Sequence, residues 1–218
     1  VEGTALYNYT EGYGSYLIPA VMMIIIFQTL LMVIGMVTGE EYSSDGIRTY
    51  APFGHTWAAA IRIVAGKAFV YCGLYAIFSF FLLGLLPYFF SIPNIGNGLY
   101  IVLLMIPYLI ATSFLGLAAS RYFTDSEAPL LMIAFFSVGL IFLSGVSYPM
   151  ELMPWYWKAA HYILPAAPAT LAFVQLNSMG ASMADIRPEY ITLWIQVLVY
   201  FILSIWVYQK KIQKSQLR

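Results

Sequence analysis

Apolar runs of membrane-spanning length alternate along this chain with short polar connections. The runs cover residues 17–38, 68–89, 99–119, 129–147 and 190–208. About 20 apolar residues suffice to cross the hydrocarbon of a bilayer, so the pattern predicts five transmembrane helices. Pro19 suits the first turn of the first helix, and Gln28 is that run's most polar side chain, suited to bonding a neighbouring helix. Gly35 and Gly39 form a GxxxG pair, which permits close helix contact. Pro87 to Asn97 reads as a turn rich in Pro, Asn and Gly, and Pro107 predicts a kink in the third run.

Two segments break the rhythm. The first is the polar interruption GEEYSSDGIRTYAPFGHTWAAAIRIVAGK, residues 39–67, which holds Glu40, Glu41, Asp45, Arg48, Arg62 and Lys67. Lys67 falls at the edge of the next run, where its ammonium can snorkel to water. The second is 148–189, whose apolar stretch YILPAAPATLAFVQL is too short to span and is broken by Pro165 and Pro168. That composition predicts a re-entrant or interfacial helix pair over 148–176. Trp155, Tyr156, Trp157 and Tyr162 cluster there, as rings do at headgroup depth.

Composition sharpens the class. The chain is 61% hydrophobic and only 9% charged, with a mean hydropathy of +0.80. A water-soluble surface needs far more charge, so the expected fold is an all-α polytopic membrane protein. Zero net charge offers nothing to nucleic acid. The single Cys72 lies in an apolar run with no metal-ligand spacing around it.

Basic residues orient the spans. With the C-terminus inside, Arg48, Arg62, Lys67, Arg121, Lys210, Lys211, Lys214 and Arg218 are cytoplasmic, and only Lys158 and Arg187 are external. The tail 209–218 is then cytoplasmic and residues 1–16 end an external region. The chain starts at Val1 without a signal-peptide pattern. These features predict a C-terminal fragment of a protein with at least six spans.

The predicted spans carry no Asp, Glu, Arg or His at their centres. An intramembrane charge costs roughly 2.5–3.5 kcal/mol and usually marks function, so a proton relay has no visible carrier. No phosphate-cradling G-x-x-x-x-G-K-[ST] occurs, and neither His55 nor His161 belongs to H-E-x-x-H. Both histidines read as interfacial side chains. The chain reads as a non-enzyme that needs no cofactor or metal of its own.

The order of the pieces resembles the type-2 ABC transporter permeases, exporter subunits that pair with a separate ATP-binding protein. Tyr16-Leu17-Ile18-Pro19 leads into the first span. Gly39-Glu40-Glu41, Asp45-Gly46, Arg48 and Pro52-Phe53 follow it, and Gly66-Lys67 opens the second. Ser144-Gly145-Val146-Ser147-Tyr148-Pro149 closes the fourth, followed by Met150-Glu151-Leu152-Met153-Pro154-Trp155, Tyr162-Ile163-Leu164-Pro165 and Asn177-Ser178-Met179-Gly180-Ala181. The family's acidic loop is E-R-E-x-G-T-like. Here the arginine between the glutamates is missing and the glycine falls later.

The resemblance implies a half-unit of six spans whose first span and large external domain precede Val1. It implies a dimeric core formed with a second permease copy or a homologue, two ATPase subunits that bind ATP and Mg, and outward movement of substrate through the bacterial inner membrane. A periplasmic adaptor is compatible with it. The coupling contact falls to Glu40 and Glu41 or to Asp45 and Arg48, on a surface helix near 42–50. Pro149, Glu151, Pro154 and Trp155 would shape the external gate, though Glu151 also suits a helix cap. Two other classes stay open: a scaffold that binds partners and membrane lipid without moving cargo, and an ion-coupled carrier, which uncharged spans disfavour.

Overall fold

The structure is a computed structural model that describes residues 13–43, 56–90, 95–123, 127–148 and 150–215. It is all-α, with no strand among the described residues. The helices are α1 (Tyr13–Ser43), α2 (Trp57–Phe80), α3 (Leu86–Phe89), α4 (Gly98–Ala119), α5 (Ala128–Leu143), α6 (Trp155–His161), α7 (Ala166–Met179) and α8 (Arg187–Ser215). A π-helical turn, Phe81–Leu85, carries α2 into α3. Among the described residues, four helical stretches are long and apolar enough to cross a membrane: Leu17–Glu41, Trp57–Phe89, Gly98–Ala119 and Arg187–Gln213. A fifth crossing results if α6 and α7, bent by 84° at their junction, count as one. The protein is therefore a polytopic membrane protein.

Several boundaries differ from the sequence expectation. The second helix begins at Trp57 rather than 68, because WAAAIRIVAGK is a good helix former that simply continues into the apolar run. The combined stretch Trp57–Phe89 has 33 residues. At 1.5 Å per residue it is about 50 Å long, well beyond the roughly 30 Å of hydrocarbon, so one end projects. Lys67 is thus ten residues inside a helix, not at its start. The expected fourth span, 129–147, stops at Leu143 and is only 16 residues long. The Ser144 hydroxyl donates to Ile141 O at 2.6 Å and accepts from Val146 N, and Gly145 follows at φ 80°, a conformation that ends a helix. The last helix starts at Arg187 and carries the basic tail on as helix to Ser215. Helix α4 runs unbroken through Pro107; the irregular turn lies instead at Phe81–Leu85, where no proline occurs.

Helix α4 is the centre of the bundle, packed on α1, α2, α7 and α8. In its most apolar stretch 67% of residues are buried against protein, compared with 22% for α2, which therefore turns most of its surface to lipid. Leu104, Tyr108, Ala111 and Leu117 of α4 are fully covered. They meet the buried ridge Met23, Ile26, Leu30 and Ile34 of α1, spaced three and four apart as one helix face. The Tyr108 hydroxyl donates to Met23 O at 2.7 Å, which satisfies it away from water. Lipid supplies no hydrophobic drive between helices, so close packing and such bonds must hold them.

Small residues sit where backbones approach. A Cβ on Gly35 would lie 2.5 Å from the Pro129 side chain, and one on Gly116 would lie 2.9 Å from Ile34. Gly96 is tighter still in kind. Its Cβ would meet Leu176 O at 2.5 Å, where Ile95 N also bonds Asn177 O and docks the α3–α4 connection on the end of α7. Gly73 on the lipid-facing side of α2 has open space around it.

Gly96→Ala is expected to cost about 1–3 kcal/mol, because the obstruction is backbone and cannot rotate away. Gly73→Ala is expected to be neutral or to add up to about 1 kcal/mol of helix stability. Thermal unfolding of both variants in one detergent checks the contrast; equal midpoints would contradict this packing.

Candidate functional site

The polar interruption does not form one loop. Its first residues, Gly39 to Ser43, extend α1, and its last, Trp57 to Lys67, belong to α2. This places Glu41 and Lys67 on facing helices. The Lys67 ammonium donates to both carboxylate oxygens of Glu41, at 2.5 and 2.6 Å. Both side chains are largely covered, at 17% and 27% exposure, so the pair is partly shielded from solvent and salt.

Two more helices join the same cluster. Lys67 lies 5.4 Å from the centre of the Tyr208 ring, and Lys211 lies 5.1 Å from the same ring. The Lys211 ammonium donates to Ser120 Oγ at 2.9 Å, and Ser120 Oγ donates to Leu117 O at 2.5 Å. Lys211 is also within Coulombic range of both Lys67 and Glu41. One carboxylate, two ammonium groups and one aromatic face therefore tie α1, α2, α8 and the end of α4 together. Glu41 lies two residues before the end of α1 and Lys67 ten residues into α2, so the pair joins the two helices that flank residues 44–55.

Of the residues expected to couple the chain to a partner, Glu41 is engaged within the bundle. Glu40, its neighbour, is exposed. Asp45 and Arg48, with most of the expected surface helix near 42–50, lie outside the described residues. Lys211 joined the cluster unannounced, because a basic tail reads as a solvated end. Its signal was the spacing Tyr208-x-x-Lys211, one helical turn that puts ring and ammonium on one face.

At the opposite end, α6 and α7 form the sharp bend. His161, expected as an interfacial side chain, is in fact buried at 1% exposure. Its Nδ1 bonds Leu143 O at 2.8 Å, and this carbonyl is one of those left open at the end of α5. Gln196 Nε2 of α8 donates to Tyr162 O at 2.8 Å, and the Tyr200 hydroxyl donates to Ile163 O. The bend is thus pinned to α5 through one side chain and to α8 through two. Gln196 and Tyr200 sit four apart inside an apolar helix, a spacing that could have marked them.

Three of the expected gate residues, Glu151, Pro154 and Trp155, lie at or just before the start of α6. Pro154 precedes α6 and is exposed; Trp155 opens α6 at 80% exposure and meets the Tyr156 ring edge to face at 5.9 Å. Glu151 falls in a single 3-10 turn, Met150–Leu152. Pro149 lies outside the described residues. Of the described residues, Glu41 lies beside Lys67 and Tyr208 toward the C-terminal end of α8, whereas Trp155 opens α6, whose C-terminal end is bonded by Gln196 nearer the start of α8.

A groove of about 550 Å³ opens between the C-terminal half of α2 and the N-terminal half of α4. It is lined by apolar side chains with the Ser79 hydroxyl, and that hydroxyl has no partner among the described residues. Cys72, also in its lining, has its Sγ 3.4 Å from Ser113 Oγ. No group of three potential metal ligands occurs among the described residues.

Compared with known proteins, residues 1–206 match the family model described as ABC-2 family transporter protein. Neither a curated protein nor a solved structure matches the chain.

Glu41→Gln is expected to cost about 1–3 kcal/mol, since it leaves two ammonium groups facing each other with no counter-charge. Lys67→Met should cost less, because Glu41 then still faces Lys211. Thermal unfolding of the two single variants and the double variant measures this order and the coupling between the two sites; additive losses would show that the pair contributes nothing.

Proposed function

The chain belongs to the ABC-2 family of transporter proteins, and from that premise we propose that it is the membrane permease subunit of an exporter driven by a separate ATP-binding subunit. Its multi-pass helical architecture and family make it a membrane component of a transporter. In our reading the partner binds ATP and Mg and contacts segment 44–55, through Asp45 and Arg48 with Glu40 beside them. Substrate moves outward through a core completed by a second permease copy or homologue in a bacterial inner membrane.

The observation that carries this reading is the brace beneath the segment. Glu41 and Lys67 join the two helices that flank it, and Tyr208 and Lys211 join these to α8. A push on the segment would be delivered to three helices at once and move them as a body rather than bend one alone. Glu41 acts in this reading as a positioning residue that transmits the push, and Glu40, Asp45 and Arg48 as the surface that receives it.

The gathering of charge also supports the orientation. Lys67, Arg121, Lys210 and Lys211 lie at one end of the bundle, whereas Lys158 and Arg187 lie at the other, beside the α6–α7 bend. Basic residues favour the cytoplasmic side, so the braced end faces the ATPase and the bend faces outward. Pro149, Glu151, Pro154 and Trp155 then border the exit.

Two experiments test this. Asp45→Ala with Arg48→Ala is expected to reduce co-purification of the ATP-binding subunit or to uncouple its hydrolysis from transport; unchanged assembly and unchanged ATP-dependent transport in proteoliposomes would remove the segment from the mechanism. A cysteine at position 155, in a Cys72→Ser background, should react with a membrane-impermeant maleimide added outside intact cells. Labelling only after the cytoplasm is opened would reverse the topology.

A further inference from the structure

A second group of cations at the braced end takes no part in the brace. Arg121 follows the end of α4, and Lys210 lies one turn after Trp206 on α8. Both converge on the Trp206 indole. The Arg121 guanidinium carbon is 5.6 Å from the ring centre, and the Lys210 ammonium is 3.6 Å from it. Both cations are exposed, and no carboxylate of a described residue pairs with either. Two like charges drawn toward one ring, without a counter-ion, leave a local excess of positive charge with open hydrogen-bond donors.

What lies beneath them is apolar and exposed. Ile195, Val199, Ile202 and Leu203 stand on the same face of α8 as Trp206, lying eleven, seven, four and three residues before it, and all four are exposed. From Ile195 to Trp206 the stripe runs about 16 Å, close to one leaflet's half of the roughly 30 Å of hydrocarbon. The indole sits where apolar surface gives way to charge, the depth at which such rings settle in a bilayer.

We propose that Arg121, Lys210 and Trp206 form a headgroup site for an anionic phospholipid whose acyl chain lies along this stripe of α8. The guanidinium, just past α4, and the ammonium, on α8, hold the phosphate together, so a bound lipid links the end of α4 to the end of α8 beside the Lys211–Ser120 contact. A zwitterionic headgroup would bring its own cation against two others. A small free anion would find the charges but no enclosing walls, whereas a lipid gains the stripe as well. The site requires only that the chain crosses a membrane; it holds whether or not an ATP-binding subunit drives transport.

The test is native mass spectrometry of the purified full chain in detergent, titrated with phosphatidylglycerol or phosphatidylcholine. Each cation at such a surface strengthens attachment about fivefold, so phosphatidylglycerol should be retained about 25-fold more tightly. Arg121→Gln with Lys210→Gln should reduce that preference to about twofold or less, whereas Arg121→Lys with Lys210→Arg should keep most of it. Lys158→Gln, at the other end, should leave it unchanged. Equal binding of the two lipids, or an unaltered preference in the glutamine double variant, would overturn the proposal. Displacement of the lipid by inorganic phosphate at matched concentration would also overturn it, by marking a simple anion site. Loss of ATP-binding subunit retention with lipid binding intact would assign the pair to a protein contact instead.

Discussion

The carboxylate of Glu41 is what allows two lysines to lie side by side in the covered part of this bundle. Lys67 and Lys211 share one aromatic face, and without a counter-charge they would push α2 and α8 apart. With Glu41 bound through both oxygens, the repulsion becomes a junction of three helices, and Ser120 adds the end of the fourth. Such a junction is directional in a way that apolar packing in lipid is not. Side chains of a similar greasy character slide past one another at little cost, whereas a shielded ion pair has one good geometry.

The other end follows a different rule. Its bend is held by neutral side chains that answer main-chain carbonyls. A chain that turns by 84° near lipid opens its helical hydrogen bonds, and each open carbonyl must find a donor. His161, Gln196 and Tyr200 supply three donors, two of them from the last helix. Helix α8 thus reaches from the bend at one end to the brace at the other. Helices α1 and α4, which also join the brace, pack on α7 as well.

Around these fixed ends the surface is made for lipid. Phe69, Ile77 and Phe80 on α2 and Leu198 and Ile202 on α8 are exposed, which in water would be an aggregation hazard. In a bilayer they are solvated. The same physics explains why α4, and not the longer α2, is the buried centre: Gly116 and Ala111 let neighbours come close, while α2 places bulky rings outward.

Hydropathy alone determined that the protein is helical and crosses a membrane several times, because a bilayer sets the length of an apolar run directly. It also located the α4 helix within a residue, and the order of polar motifs pointed to the transporter family. Helix ends were less readable. WAAAIRIVAGK is polar by composition yet helical by propensity, and the short α5 ends on a serine and a left-handed glycine that hydropathy does not register. Only the tertiary structure decided the partners: that Glu41 turns inward to Lys67, that Lys211 is part of the core rather than a tail, and that His161 is buried. Those choices depend on which helices lie together at one depth, and a run of letters carries no information on depth until the helices are packed.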